Sequence, residues 1–240
     1  MRRFFAQAGS ISDGVVALGP EETRHLRDVL RLRTGDEIAV FDGEGNEYSA
    51  RIELLQKTAA TASIIAKIHP SAPESPLALT LASVAIPGDK YDLIIQKAVE
   101  LGVTRFIPLS SIRAEVKLKD LPKRISRWER IVLDAAKQCG RATLMAISEP
   151  RNVTDLLLEP QLKGAKVFFS ERDGSRLPEL VKPGAISLVI GPKGGWDDSE
   201  IENARQAAFS VVTLGGRIMR AETAAIALTA IVQHRFGDIN

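Results

Sequence analysis

Two glycine-bearing segments near the C-terminal end of the chain are the strongest candidates for chemistry. The first, 191–195 (GPKGG), follows the β-rich run 186–190 and precedes a predicted helix. Its glycines let the backbone turn sharply and approach a ligand closely, and α/β proteins bind ligands just past the carboxyl ends of their strands. The segment lacks the spacing of a dinucleotide fingerprint and the Gly-Lys-Ser/Thr ending of a phosphate loop. The residues alone leave a ligand loop and a structural turn both open.

The second segment, 214–220 (LGGRIMR), follows another β-rich run and leads directly into the alanine-rich stretch 221–227 (AETAAIA). Two glycine loops that follow two strands can face each other across one crevice. The small side chains after them favour a helix that packs very closely on a neighbouring element, although a simple core helix has the same pattern. Together the two segments predict a pocket without naming its ligand.

The elements that must position these loops fall into two regions with different residue patterns. Residues 1–70 have short alternating runs and one helical run, which predict a small β-barrel, and the Pro- and Ser-rich stretch 71–76 is typical of a linker. From 77 to 240, strands and helices alternate, which predicts an α/β domain with a mainly parallel sheet. The predicted strands are 36–42, 47–55, 58–67, 77–84, 105–109, 166–170, 186–190 and 211–214, and the helices are 89–101, 122–138, one beginning at Asp197 or Asp198, and 221–236.

Polar residues at the predicted helix starts indicate how two of these helices begin. Asp89 is the expected N-cap of its helix, and Gly102 is the expected stop. Ser199 and Glu202 have the spacing of a capping box, in which each side chain bonds the backbone of the other residue. These assignments place the helices directly after predicted strands.

Composition limits the classes of protein that this chain can be. Hydrophobic residues make up 45% of it, enough for a sizeable core. The single cysteine, Cys139, excludes an internal disulfide and fits a reducing compartment. The longest apolar-rich run, 224–232, is too short to cross a membrane and no secretory signal is evident, so we expect a cytoplasmic protein. The three histidines lack the spacing of metal ligands, so no metal is expected.

Positive charge is concentrated in one segment. The formal net charge is only +2, yet residues 111–141 hold nine Lys or Arg against four Asp or Glu. A local basic patch is what the phosphate backbone of a nucleic acid would meet. A solvated helix face is the more ordinary meaning of such a stretch, and charge alone does not decide between the two.

Taken together, the motifs resemble the SPOUT methyltransferases. More narrowly they resemble the RsmE family, which methylates N3 of a uridine in small-subunit (16S) ribosomal RNA. Lys193 stands where that family usually has Glu, Met219 stands where it has Leu, and Ile112 stands where an acidic residue is common. The matching segments are 190–196, 214–224 and 237–238 in the C-terminal part, 97–103, 113, 128–131 and 138–141 in the middle, and 3–5 and 25–32 near the N-terminus.

The resemblance implies a C-terminal SPOUT domain tied into a trefoil knot, a small N-terminal PUA-like RNA-binding β-barrel, and a homodimer. The final helix is expected to form part of the dimer interface. The resemblance also implies S-adenosyl-L-methionine as cofactor, and ribosomal RNA or the small ribosomal subunit as partner. By motif match, the residues expected to bind the cofactor are Gly191, Gly195, Leu214, Gly215, Ile218, Met219 and Arg220.

The same resemblance implies roles in catalysis and RNA binding. Uridine N3 carries a proton, so an enzyme must help remove it or stabilise the resulting anion. Arg220 is the first candidate for that positive charge, and Glu222 is expected to orient Arg220 or its loop. The arginines expected to contact RNA phosphates are Arg24, Arg27, Arg31, Arg113, Arg130 and Arg141.

Three other hypotheses stay open at this stage. One is a SPOUT methyltransferase that acts on another RNA, such as transfer RNA. Another is an RNA-binding paralogue without activity, which the unusual Lys193 motivates. The third is a small-molecule α/β enzyme with the same glycine loops, which leaves the basic segment 111–141 unexplained.

Overall fold

The computed structural model describes residues 1–159, 162–181 and 183–239. Contacts between residues divide the chain into two compact units. The first contains Met1–Glu74 and Ala136–Leu144, and the second contains Ser75–Ala135 and the described residues from Met145 onward. The first unit therefore includes a segment from the middle of the chain, which the alternation of strands and helices does not reveal.

The first unit is built on a curled six-stranded sheet with the order β1-β4-β5-β6-β3-β2. β1 pairs with β4 in parallel, and every other pair is antiparallel. β4, β5 and β6 confirm the strands predicted at 36–42, 47–55 and 58–67. β1, β2 and β3 are too short for an alternation of apolar and polar residues to be visible in the sequence. The elements are β1 (Arg3–Phe5), β2 (Ile11–Ser12), β3 (Val15–Leu18), α1 (Pro20–Arg24) with a π-helical turn over His25–Val29, β4 (Glu37–Phe41), β5 (Glu47–Leu55) and β6 (Ala60–Ile68).

The core of the first unit follows from side-chain alternation along its strands. Successive residues of a strand point to opposite faces of a sheet, so every second residue faces the interior. The π-helical turn contributes the fully buried Leu26 and thereby closes the core. The buried cluster contains Phe4, Ala6, Val16, Leu18, Leu26, Ile38, Val40, Ala50, Ile52, Ala60 and Ala62.

A buried ion pair fastens the middle segment of the chain to this sheet. The Glu47 carboxylate is 1% exposed and accepts a hydrogen bond of 2.9 Å from Nε of Arg3. The same guanidinium donates to the backbone carbonyls of Ala136, Lys137 and Arg141 at 3.2–3.3 Å. Ala136 and Lys137 lie in the last turn of a helix that ends at Cys139, and an α-helix leaves its last carbonyls without an intrahelical partner. Arg3 therefore both neutralises the buried Glu47 and satisfies free carbonyls at this helix end.

The second unit is an α/β domain whose sheet has the order β10-β8-β7-β12-β11-β13, with β9 paired to β8. Every strand pair in it is parallel, as predicted. Its elements are β7 (Ala78–Val84), α2 (Asp89–Glu100), β8 (Arg105–Ser110), α3 (Ile125–Cys139), β9 (Ala146–Ile147), β10 (Arg151–Asn152), α4 (Val153–Leu157), β11 (Ala165–Phe169), β12 (Ala185–Ile190), α5 (Asp198–Gln206), β13 (Ser210–Val212) and α6 (Ala221–Phe236).

The central strands of this sheet are buried on both faces, which is why they are nearly continuous apolar runs. β12 has five consecutive buried residues up to Ile190. On one face, Val84, Leu109 and Val189 belong to a core cluster with the fully buried Trp196. On the other, the Tyr91 hydroxyl donates to the carbonyl of Ser83 at 2.8 Å, and burial raises the pKa of that phenol well above its usual value.

Two predicted helix starts are shifted in the structure. α2 begins at Asp89, but its N-cap is Gly88, whose φ of +73° suits glycine, so the assignment of Asp89 as cap is wrong by one residue. α5 has a capping box, but Asp197 and Glu200 form it rather than Ser199 and Glu202. Asp197 precedes Ser199 and has the extended backbone of an N-cap, so it bonds the free amides first.

The last helix, α6, is a core element that packs against α2. Its fully buried Gln233 donates from Nε2 to the carbonyl of Leu101 at 2.9 Å, and it accepts from the Ser75 hydroxyl at 2.9 Å. These bonds satisfy a buried amide that would otherwise destabilise the fold. Among the helices in the described ranges, none is long and apolar enough to cross a membrane.

Parallel pairing brings the carboxyl ends of five strands to one edge of the sheet. β7, β8, β11, β12 and β13 run in the same direction. The segments that follow them must therefore meet at that edge, which is where open α/β sheets bind ligands. These segments are 85–88, 111–117, 170–175, 191–197 and 213–220.

We expect Glu47→Gln to destabilise the first unit strongly, because it leaves the charge of Arg3 buried without a counter-ion. Removing one partner of a buried pair costs about 3–5 kcal/mol. Hydrogen exchange of the β4 and β5 amides should therefore accelerate by about a hundredfold or more under conditions where exchange reports unfolding.

Glu37→Gln is the matched control, since Glu37 forms a 2.9 Å ion pair with Arg51 in which both side chains are about half exposed. Such pairs contribute about 0–1 kcal/mol. Equal effects of the two variants would show that the buried pair does not hold this unit together.

Candidate functional site

A pocket of about 250 Å³ opens at the carboxyl edge of the parallel sheet. The two glycine loops form most of it, together with the residues that follow β11 and the first turns of α6. The glycine loops therefore face each other, as their positions after two strands predict. The lining residues are Phe169, Glu171, Ile190, Gly191, Pro192, Lys193, Gly194, Gly195, Trp196, Ile218, Met219, Ala221 and Ala224.

The Trp196 indole sets the path of the first glycine loop. It is fully buried, and its Nε1 donates to the Phe169 carbonyl at 2.7 Å. Its ring packs on Phe168, with 4.4 Å between centroids. A Cβ on Gly191 would lie 2.7 Å from the indole, so only glycine lets the chain pass this ring. The Trp196 side chain therefore belongs both to the pocket lining and to the hydrophobic core.

Gly195 is required by its backbone conformation, and it also lies close to the Glu171 side chain. Its φ of +72° is a conformation that L side chains rarely adopt. A Cβ there would also lie 2.4 Å from Oε1 of Glu171. Gly194, by contrast, has nothing closer than 3.8 Å to its Cβ position. The positive φ therefore requires glycine at position 195, and a side chain there would also displace the Glu171 carboxylate.

Of the residues expected to bind a cofactor, four line this pocket: Gly191, Gly195, Ile218 and Met219. Leu214, Gly215 and Arg220 belong to the same loop but are not among the lining residues. Gly215 adopts a φ of +63°, a backbone conformation that favours glycine. The cofactor contacts assigned to these residues stay predictions.

Glu222 pairs with a residue that the motifs did not single out. Its carboxylate lies 3.0 Å from Nζ of Lys90, in the first turn of α2. Burial favours the neutral form of Glu222, but the hydrogen bond from its own backbone N–H and the contact with Lys90 outweigh burial and lower its pKa. Arg220 stands exposed at the N-cap of α6 and adds a weaker charge effect. The catalytic roles of Arg220 and Glu222 stay predictions.

A second, smaller hollow adjoins the pocket, and we call it the lysine recess. Its volume is about 130 Å³, and it shares Lys193 with the pocket. The Lys193 ammonium lies 3.3 Å from the Glu115 carboxylate, and both side chains are exposed, so the cation of the glycine loop has a counter-ion at the surface of the site. The recess is lined by Ile86, Pro87, Lys90, Glu115, Lys193 and Glu222.

The segment after β8 is fastened to the start of α5 by two further contacts. The Glu200 carboxylate is 2% exposed and accepts from the backbone N–H of Ile112 at 2.9 Å. Arg113 pairs with Asp197 at 3.1 Å. Hydrogen bonds from the Ser199 hydroxyl and N–H, and then the charge of Arg113, lower the pKa of Asp197. The capping residues of α5 therefore also position the wall of the recess.

Comparison with known proteins identifies the chain. A family model described as an RNA methyltransferase domain matches residues 73–233, and an RNA methyltransferase PUA domain matches residues 18–65. Ribosomal RNA small subunit methyltransferase E from Buchnera aphidicola is 33% identical over 94% of this chain and 93% of its own length. The chain belongs to the ribosomal RNA small subunit methyltransferase E family. The resemblance of its motifs to RsmE is thereby confirmed.

Solved structures agree with this assignment. A member of the family from Neisseria gonorrhoeae, solved bound to S-adenosyl methionine, superposes with a TM-score of 0.89 at 37% identity and covers 100% of both chains. A protein from Legionella pneumophila in complex with the bound cofactor SAM superposes with the same TM-score at 29% identity, covering 99% of this chain and 98% of its own. The predicted fold class, a SPOUT domain with a PUA-like barrel, is confirmed.

The six arginines that the RsmE resemblance assigns to RNA differ in accessibility. Arg24, Arg31 and Arg130 are exposed. Arg27 pairs with Asp28 at 2.6 Å and donates to the Lys57 carbonyl, and Arg113 pairs with Asp197 as described above. Arg141 is 4% exposed and donates to Glu74 at 2.7 Å, an arrangement that suits a structural role in the first unit. Their contacts with RNA stay predictions.

Motif reasoning missed two charged residues of this RsmE-type site, Glu171 and Lys90. Glu171 follows the end of β11 by two residues, and Lys90 lies in the first turn of α2. A polar side chain just past a predicted buried strand is the signal that could have found Glu171, because the ends of parallel strands converge. Lys90 has no such signal, since it lies inside the helix that follows β7. Within the described ranges, no group of three or more His, Cys, Asp or Glu residues could hold a metal ion.

We expect the start of α5 to loosen in acid, because Asp197 caps it in the ionised form. The folded state lowers the pKa of this carboxyl, so its stabilising effect is present above the unfolded value of about 3.9 and is lost as the pH falls through the lower folded value. The protection factor of the Ser199 amide, which corrects for the intrinsic pH dependence of exchange, should then fall as the pH drops below the unfolded value when measured by NMR.

Asp197→Asn is the matched variant, since Asn caps helices nearly as well but does not titrate. Its Ser199 amide should lack this pH dependence. An Asp197 carboxyl that titrates at or above the unfolded value would contradict the proposed cap.

Proposed function

We propose that this chain transfers a methyl group from S-adenosylmethionine to N3 of a uridine in small-subunit ribosomal RNA. The observation that carries the proposal is the glycine-lined pocket at the carboxyl edge of the sheet, in a chain that belongs to the RsmE family. Relatives over most of its length are named ribosomal RNA small subunit methyltransferase E, which supports the RNA substrate. The choice of N3 and of uridine rests on the family resemblance.

The chemistry of the pocket fits this cofactor. Gly191 and Gly195 lack the Cβ atoms that would fill the pocket wall, so backbone groups can approach the ligand. Ile218 and Met219 offer apolar surface to an adenine ring, and the Glu171 carboxylate can accept hydrogen bonds from ribose hydroxyls or from an ammonium group. When bound, the cofactor supplies an electrophilic methyl group on a sulfonium.

Lys193 is compatible with such a cofactor because of its partner. A cation in place of the usual glutamate would disfavour a positively charged ligand if it stood alone. Here Glu115 pairs with its ammonium, which reduces the field that the loop presents to the pocket. This pairing supports an active enzyme over a paralogue that has lost cofactor binding.

The residues around the pocket can assist the acceptor base. Uridine N3 is a poor nucleophile while protonated, so positive charge near the uracil carbonyls favours the reactive anion. Arg220 follows the pocket residue Met219 and is exposed at the beginning of α6. We therefore assign it the role of stabilising that anion, and we assign Glu222 the role of orienting positive charge beside it.

RNA binding draws on both units in this proposal. The curled sheet of the first unit matches a PUA model found in RNA methyltransferases, and Arg24 and Arg31 are exposed there. Arg130 is exposed in the basic segment 111–141. Phosphate contacts of this kind release counter-ions, so binding should weaken steeply with salt. Arg27, Arg113 and Arg141 are included among the RNA contacts because their positions match the family motifs.

The proposal also includes the assembly and setting that the family implies. The trefoil knot stays a prediction, as do a homodimer built on α6 and a cytoplasmic location. The small residues of α6 support close packing: Ala224 and Ala225 are buried, whereas Ala227 is partly exposed and available to a second copy. Light scattering of the purified chain tests the dimer directly.

We expect Gly195→Ala to weaken S-adenosylmethionine binding by about tenfold or more in isothermal titration. The new methyl group would meet the Glu171 carboxylate, and the backbone conformation would be strained by about 1–3 kcal/mol. Gly184→Ala is the control, since its Cβ position is open and it precedes β12 at the opposite edge of the sheet, so the cofactor affinity of this variant should stay near that of the wild type. If the folded wild-type protein binds no cofactor, the enzyme proposal fails.

Methyl transfer to unmodified small ribosomal subunits, followed by mass mapping of the 16S RNA, tests the reaction itself. We expect one uridine to gain a methyl group at N3. Arg220→Ala should lower kcat by about 10²–10³-fold, the effect of losing one group that stabilises developing negative charge, while cofactor affinity stays within a few-fold. Equal losses of both would place Arg220 in the cofactor pocket only. Methylation of transfer RNA instead would support the other RNA substrate.

A further inference from the structure

The pocket between the two glycine loops has one strong side-chain acceptor among its described lining residues, the carboxylate of Glu171. Lys193 is charged as well, but an ammonium group only donates hydrogen bonds. The Trp196 indole N–H already donates to a backbone carbonyl, and the other lining side chains are apolar or absent. A ligand hydroxyl that bonds to a side chain of these residues must therefore bond to Glu171.

Arg172 holds the Glu171 carboxylate at the pocket wall without using up its acceptor capacity. The Arg172 guanidinium is fixed by the Trp196 carbonyl, to which Nη2 donates at 3.0 Å, and by the Asp198 carboxylate at 2.7 Å from Nη1. Its Nε lies 3.6 Å from Oε1 of Glu171, which is an ionic contact but too long for a hydrogen bond. From the residues that the structure describes, the Glu171 carboxylate accepts no hydrogen bond, so its oxygens are available to a ligand.

The carboxylate and the first glycine loop leave the sheet side by side. β11 and β12 pair in parallel, with Phe169 opposite Ile190 at their carboxyl ends. Glu171 follows the first of these residues by two positions, and Gly191 follows the second directly. Dinucleotide-binding α/β domains combine a glycine loop after a strand with an acidic side chain that accepts from a ribose hydroxyl. The arrangement here indicates a ribose subsite beside the glycine loop.

A ribose and a carboxylate are complementary in their hydrogen-bonding groups. The ribose presents two neighbouring donors, the 2′- and 3′-hydroxyls, and an ionised carboxylate presents two neighbouring acceptor oxygens. Hydrogen bonds to an ionised acceptor are roughly twice as strong as those between neutral groups. The second glycine loop contributes Ile218 and Met219 to the lining, an apolar surface that suits the adenine ring and leaves the sugar to the polar wall at Glu171.

We propose that Glu171 binds the ribose of the cofactor, and that its carboxylate accepts hydrogen bonds from both the 2′- and the 3′-hydroxyl. This inference rests on the proposed function, because the nucleoside is that of S-adenosylmethionine. It assigns Glu171 to the ribose diol rather than to the ammonium group of the methionine part. It follows that the pocket selects a ribonucleoside over a deoxyribonucleoside, and that this selectivity depends on one side chain.

Adenosine tests this assignment without any methyl transfer. It carries the ribose but neither the sulfonium nor the ammonium group of the cofactor. Because adenosine is uncharged, the removal of a carboxylate changes its affinity through direct contact rather than through long-range charge. The 2′-deoxy and 3′-deoxy forms of adenosine each lack one of the two proposed donors, so the three nucleosides together measure what each hydroxyl contributes.

Met219 offers a readout inside the pocket. The chain has three methionines, and Met219 is the one that lines the pocket in the described part of the chain. In full-length protein with ¹³C-labelled methionine methyl groups, its resonance can be assigned with Met219→Leu. Titration of the three nucleosides, followed by this resonance in NMR spectra, then gives a Kd for each of them.

In the wild-type protein, we expect each deoxynucleoside to bind about tenfold more weakly than adenosine, the effect of one lost hydrogen bond to a charged group. In Glu171→Ala, adenosine should bind as weakly as the deoxynucleosides, with the three Kd values within about threefold of one another. Glu202→Ala is the matched control. The Glu202 carboxylate lies on α5, is 56% exposed and is not among the described residues that line the pocket, so this variant should keep the wild-type preference for adenosine.

The outcomes separate this inference from the proposed function. A folded wild-type protein that does not bind S-adenosylmethionine in isothermal titration overturns the proposed function. A wild-type protein that binds this cofactor, but ignores adenosine or binds the deoxynucleosides equally well, overturns the ribose assignment. A Glu171→Ala variant that keeps the wild-type preference for adenosine overturns it as well, and a loss of S-adenosylmethionine affinity in that variant would then assign the carboxylate to the ammonium group.

Discussion

The hydrogen bond from the Trp196 indole to the Phe169 carbonyl is the contact on which the site depends. It joins the loop after β12 to the end of β11 in the core of the second unit. Gly191 must pass the face of this indole, and Gly195 must lie against the carboxylate of Glu171, which follows Phe169 by two residues. One buried ring thus dictates where the backbone of the glycine loop runs and which positions have room for a side chain.

Around this anchor, charge pairs connect the remaining loops of the same edge. Glu200 caps α5 and holds the backbone of Ile112, while Asp197 caps the same helix and pairs with Arg113. The segment after β8 is therefore positioned by the start of α5. Because that segment carries Glu115, the capping residues indirectly place the partner of Lys193. The residues that cap α5 therefore also help to place the charged groups of the site.

These contacts explain how the glycine loop accommodates the unusual Lys193. In sequence, Lys193 is a departure from the RsmE motif that brings positive charge towards a cationic cofactor. In the structure, Glu115 balances it and Lys90 stands with Glu222 across the same hollow. Each lysine of the lysine recess is thus paired with a carboxylate, so the four charged groups of the recess sum to no net formal charge.

Much of this protein was determined by the sequence alone. Alternation and apolar runs predicted β4–β8, β11 and β12, because burial on one or both faces of a strand leaves a direct record in residue order. Glycines after two strands predicted the two facing loops, and motif resemblance named the family. Residue order could not show that Lys90 pairs with Glu222, that Glu200 accepts from the backbone of Ile112, or that 136–144 joins the first unit around Arg3. Those contacts join residues distant in sequence, and parallel pairing brings most of them together only when the sheet has formed.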